Sequence, residues 1–101
     1  MNRRLLKKDI QAIAVSLIED SYDFIVLYPG SDHTEIKKII EETYELHDEF
    51  IDRANHPDGK DNPKIIKAYY KQIWGDLFQA TAGLFERIEK TFNEAAAQEE
   101  K

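Results

Sequence analysis

Apolar residues recur along this chain in steps of three and four, the spacing of a helix that buries one face. The first set runs through Leu6, Ile10, Ile13, Leu17, Phe24 and Leu27, interrupted at Asp20. The second takes in Ile36, Ile39, Ile40, Thr43, Leu46, Phe50 and Ala54, and the third Ile66, Tyr70, Ile73, Leu77, Leu84 and Ile88. Three amphipathic helices are predicted, over about residues 3–28, 32–55 and 62–95, in one domain covering 1–101. The tail 93–101 keeps helical propensity but offers little to bury, so it is expected to fray.

The punctuation agrees with the periodicity. Pro29-Gly30 ends the first helix, because a residue before proline is driven out of the helical region. Asp32, followed three residues later by Glu35, has capping-box spacing for the second. His56-Pro57-Asp58-Gly59 is loop chemistry, and Asn62-Pro63 supplies a cap and a favoured first residue for the third. The run Phe24–Tyr28 is partly β-branched, but no second strand-like run exists to pair with it. Helix is the reading there too.

Short connections make the fold an all-α, antiparallel up-down-up three-helix bundle. Turns near Gly30 and Gly59 would place Glu42 level with Asp76, Thr43 with Gly75 and Glu45 with Ile73. The third helix outruns the others and carries a second apolar stripe, Trp74, Phe78, Phe85 and Phe92. That stripe points to self-association, as a homodimer or with a helical protein partner that completes a four-helix arrangement. Gly75 and Gly83, with Ala80 and Ala82, are expected to permit close helix approach.

Composition narrows the classes. Charged residues make 34% of the chain and hydrophobic ones 42%, which suits a folded globular domain. There is no cysteine, so disulfides and thiol chemistry are excluded. The longest apolar run, Phe24–Tyr28, is too short to span a bilayer. Basic residues open the chain, but Asp9, Gln11 and Glu19-Asp20 interrupt the segment after them, so a signal peptide is rejected and a cytoplasmic location expected.

A net charge of −6 weighs against nucleic acid as partner. Arg3, Arg4, Lys7 and Lys8 do gather by topology at the same end as Lys60, Lys64, Lys67 and Lys71, with Arg53 nearby. Asp48, Asp52, Asp58 and Asp61 share that end, and internal charge pairing is the expected use.

Glu41, Glu42 and Glu45 form E-E-x-x-E on the second helix, and Trp74-Gly75-Asp76-Leu77 lies on the third. In these residues the chain resembles the MazG-type all-α NTP pyrophosphohydrolases, whose signature is E-E-x-x-E on one helix and E-x-x-D on the next. The resemblance covers Asp32 to about Arg87. It implies a magnesium site on Glu41, Glu42, Glu45 and Asp76, with the metal binding a triphosphate and activating water. Ile73 stands where the family's second glutamate would be. The resemblance thus extends to a divergent or inactive relative. Without it, the same carboxylates are a solvated helix face and no cofactor is called for.

Asp20 is expected to accept a hydrogen bond from Trp74 or a tyrosine, or to sit at the edge of the seam. His33, His47 and His56 show neither E-x-x-H nor H-E-x-x-H spacing and read as structural or surface residues. Serine-nucleophile motifs and glycine-rich phosphate loops are absent. The functional expectation is a small helical interaction or self-association module without catalysis, with the pyrophosphohydrolase as the alternative.

Overall fold

The computed structural model describes residues 2–57 and 62–99. They form three helices, α1 (Arg3–Leu27), α2 (Thr34–Asn55) and α3 (Pro63–Glu99), each packed on the other two. No strand is present among the described residues. The architecture is an all-α three-helix bundle. Asp58, Gly59, Lys60 and Asp61, named above in the second loop and the basic end, lie outside the described residues.

Each helix start has a local cause. Asn2 Oδ1 accepts the Leu5 N–H at 2.9 Å and caps α1. Asn62 Oδ1 accepts the N–H groups of Lys64 and Ile65 at 3.0 and 3.4 Å, with Pro63 as the first helical residue. Helix α2 departs from expectation. It begins at Thr34, and Asp32 Oδ1 accepts both the N–H and the hydroxyl of Thr34, at 2.9 and 2.6 Å. That bonding draws the Asp32 carboxyl below its ordinary pKa. Glu35 does not close a capping box, because Arg87 of α3 holds it instead.

The core is the predicted set with small changes. Leu6, Ile10, Leu17 and Phe24 meet Ile36, Ile39 and Phe50 and the α3 row through Ile73, Leu77, Leu84 and Ile88. Where Asp20 interrupts the α1 seam, Ser21 takes the buried place and Asp20 stays half-exposed. Leu27, read as part of the seam, is exposed. Ser21, Thr43 and Thr81 bury their hydroxyls by donating to the carbonyl four residues back, at 2.8, 2.7 and 2.8 Å. Among the described residues no buried side-chain polar atom lacks a partner.

The register of α3 is the main correction. At 37 residues it is about 55 Å long, most of the 60 Å length of the molecule. Phe92 stacks edge-on against Phe24 at 5.1 Å and Tyr28 at 6.0 Å, so the end of α1 lies level with residue 92. Counting back, Arg3 lies level with about Lys71, and the first two turns of α3 project past α1 by about 12 Å. The expected levels assumed that α3 starts beside the end of α2. The overhang slides it, so Glu42 meets Arg87 and Arg53 meets Asp76. At the other end the helix continues to Glu99 instead of fraying after 95, with Ala95 buried in the core cluster.

Candidate functional site

The carboxylates singled out by their motif are separated by this register. Glu42 Oε2 receives Arg87 Nη1 at 2.7 Å, and Asp76 Oδ2 receives Arg53 Nη2 at 2.8 Å. Eleven residues part Arg87 from Asp76, or about 16 Å along α3. Glu41 and Glu45 are exposed on α2. Ile73, at the place of the missing ligand, is fully buried. Among the described residues no group of three histidine, aspartate or glutamate side chains is placed to hold a metal ion. As placed here, these residues do not fit a magnesium centre.

What they form is an ionic seam between α2 and α3. Arg87 bridges Glu35 at 2.9 Å and Glu42 at 2.7 Å, two residues one heptad apart. Donating to both carboxylates raises the Arg87 pKa further, and the same contact holds Glu35 below the usual carboxylate range. At the other end Arg53 lies over the Phe50 ring, 4.9 Å from its centroid, while donating to Asp76.

The aromatic stripe is used mostly inside the molecule. Trp74, Phe85 and Phe92 are half-buried against the core, and Phe92 meets Phe24 of α1 and Tyr28 just after it. Only Phe78 of the four stands out, 65% exposed and edge-on to Trp74 at 6.2 Å. Three of the four residues of the stripe assigned to an outside neighbour are thus packed against the chain's own core. Asp20 lies beside Phe85 and Phe92 and makes no hydrogen bond to Trp74 or a tyrosine among the described residues. Gly75 and Gly83 permit no close approach either, since a Cβ on either would meet nothing within 4 Å.

The histidines are satisfied locally. His33 Nε2 donates to the Tyr28 carbonyl at 2.8 Å and sits edge-on to Phe24. His47 Nδ1 lies 3.1 Å from Asp48 Oδ1, and His56 Nδ1 donates to the Asp52 carbonyl at 3.0 Å. At the basic end, Arg53 is the member of the group that holds a carboxylate among the described residues.

The apolar surface that does face outward lies on the other flank. Between α1 and α2, away from α3, runs a groove of about 590 Å³ floored by Ala14 and Thr43. Val15, Ile18 and Tyr44 form its walls, and Glu19, His47 and Asp48 its polar edge. Val15 is 54% exposed, Tyr22 51%, Val26 75% and Tyr44 56%. All of these are visible in the sequence as apolar residues off the main seams. Val15, Tyr22 and Val26 share a second, weaker spacing on α1, and Tyr44 stands apart from them on α2. Among the described residues no helix is long and apolar enough to cross a membrane.

No protein family, no curated protein and no solved structure matches this chain.

Proposed function

We propose that this protein is a small helical interaction module whose docking face is the outer side of α1 together with its groove against α2. The carrying observation is the run of exposed apolar side chains, Val15, Tyr22, Val26 and Tyr44, along one flank of a bundle whose core is already closed. A monomer rarely leaves such a patch uncovered, and a helix laid along it would bury it. The groove floor supports this reading: Ala14 and Thr43 are small, so an approaching helix reaches the backbone of both walls. The reading carries no cofactor and no catalytic step.

A photo-crosslinking amino acid in place of Tyr44 tests this in the cell that makes the protein. The expected result is a covalent adduct to a polypeptide, absent when the same group replaces Gln72, which is exposed on α3. Equal labelling from both positions, or none from Tyr44, overturns the reading.

A further inference from the structure

We infer that the partner on this face is a second copy of the chain, docked antiparallel along α1 about a two-fold axis passing between Ile13 and Ala14. This rests on the reading of the α1 face as the docking surface and says what occupies it. The observation behind it is a second heptad on α1. Leu5, Lys8, Ala12, Val15, Glu19 and Tyr22 alternate steps of three and four, and every one of them is exposed. They lie on the side of the helix opposite Leu6, Ile10, Leu17 and Phe24, which fill the core. One helix thus carries two seams, one used within the chain and one left open.

The two charged members decide the occupant. In a heptad seam a lysine and a glutamate are costly against an arbitrary apolar helix, because each would be covered without a counter-charge. Lys8 and Glu19 stand at equal distances from the point midway between Ala12 and Val15. Reversing a second α1 about that point brings Lys8 opposite Glu19 of the other copy, and Glu19 opposite its Lys8. The same operation sets Ala12 against Val15 and Leu5 against Tyr22, a small residue meeting a larger one in each layer. A parallel copy would instead stack Lys8 on Lys8 and Glu19 on Glu19. Charge and size therefore select one orientation and one register. Such self-complementarity is what an isologous two-fold contact requires.

Neither α2 nor α3 blocks the approach. The α1 side chains that meet α2 and α3 are those of the core seam and its two edges, such as Ala14 toward α2 and Phe24 toward Phe92. Tyr44 borders the contact from α2, on the groove wall facing Val15.

The experiment is charge exchange read by sedimentation equilibrium on the whole chain. The wild type is expected at twice the 11.8 kDa chain mass, and Lys8→Glu and Glu19→Lys each at the single mass. Both residues are exposed, so circular dichroism should show unchanged helicity. Mixing the two variants restores opposite charges in both layers and should return the doubled mass, as should Lys8→Glu/Glu19→Lys in one chain. Wild type that stays at the single mass up to about 1 mM overturns the inference, as does a doubled mass that survives either single change. If the wild type is single while Tyr44 still crosslinks a different protein, the docking face stands and the second copy is excluded.

Discussion

Arg53 on α2 donates to Asp76 on α3 at 2.8 Å, and the pair fixes which turns of the two helices face each other. The guanidinium is the more buried partner, and its stem and charge also rest on Phe50. Hydrogen bonding to Asp76 raises the Arg53 pKa further, so the pair stays charged on the arginine side at any ordinary pH. Arg53→Ala therefore removes packing as well as the ion pair, while Asp76→Ala removes only the pair. The expected losses are about 1–2 kcal/mol for the first and less than about 1 kcal/mol for the second. A double-mutant cycle in urea should return a coupling of about 0.5–1 kcal/mol. A coupling near zero would mean that apolar packing alone sets the register.

That register was the part of the fold hardest to see in the chain. Helix positions and their buried faces follow from spacing, and Leu6, Ile39 and Ile73 are buried as their spacing predicts. Level does not follow from spacing, because every turn of α3 presents a similar apolar row. Moving α3 by a few turns costs little in periodicity. It decides whether Glu42 meets Asp76 or Arg87. The Asp32–Glu35 spacing misleads for a related reason: a local motif cannot show that Arg87, 52 residues away, will claim Glu35.

Gly75 and Gly83 are helical, and neither has an atom within 4 Å of where a Cβ would stand. Alanine at either place removes backbone entropy from the unfolded chain and adds no clash. Gly75→Ala and Gly83→Ala should each stabilise by about 0.5–1 kcal/mol, seen as a rise in thermal midpoint of about 2–8 °C. A fall at either position would show that the glycine meets something beyond this single chain.

Phe92 ties the last turns of α3 to the end of α1 through Phe24 and Tyr28. Beyond it, among the described residues, Ala95 is the remaining buried anchor. Phe92→Ala should cost about 3 kcal/mol, at the low end for a phenylalanine because the side chain is half-buried. Hydrogen exchange should quicken first in the amides after residue 92, since those turns lose their aromatic contact with α1. Uniform acceleration across all three helices would instead assign Phe92 to the global core.

Glu35 has its pKa lowered by hydrogen bonding to Arg87. Its folded form thus favours the ionised state more than the unfolded chain does. The stability it contributes is present above the unfolded carboxylate pKa and is lost as pH falls through the lowered folded value. Glu35→Gln should therefore narrow the gap between wild type and variant on acidification, with the two converging at the lowest pH. Because the carboxylate is 46% exposed, the difference at neutral pH is small, about 0.5 kcal/mol after screening, and shrinks in high salt. A gap that widens toward acid would show that the pair does not act in this sense.

Phe78 and Val15 separate the two apolar surfaces of the bundle. Phe78 is the exposed remnant of the α3 stripe, whereas Val15 stands at the centre of the open α1 seam and on the groove wall. Neither supports the core, so a charge at either position should leave the folded chain within about 0.5 kcal/mol. Their effects on assembly should differ. Val15→Glu introduces like charges near the two-fold axis and should abolish the doubled mass, while Phe78→Glu should leave it unchanged. The reverse pattern would return the interface to α3, with Trp74 and Phe78 at its centre. Loss with both would mean that α1 of one copy meets α3 of the other.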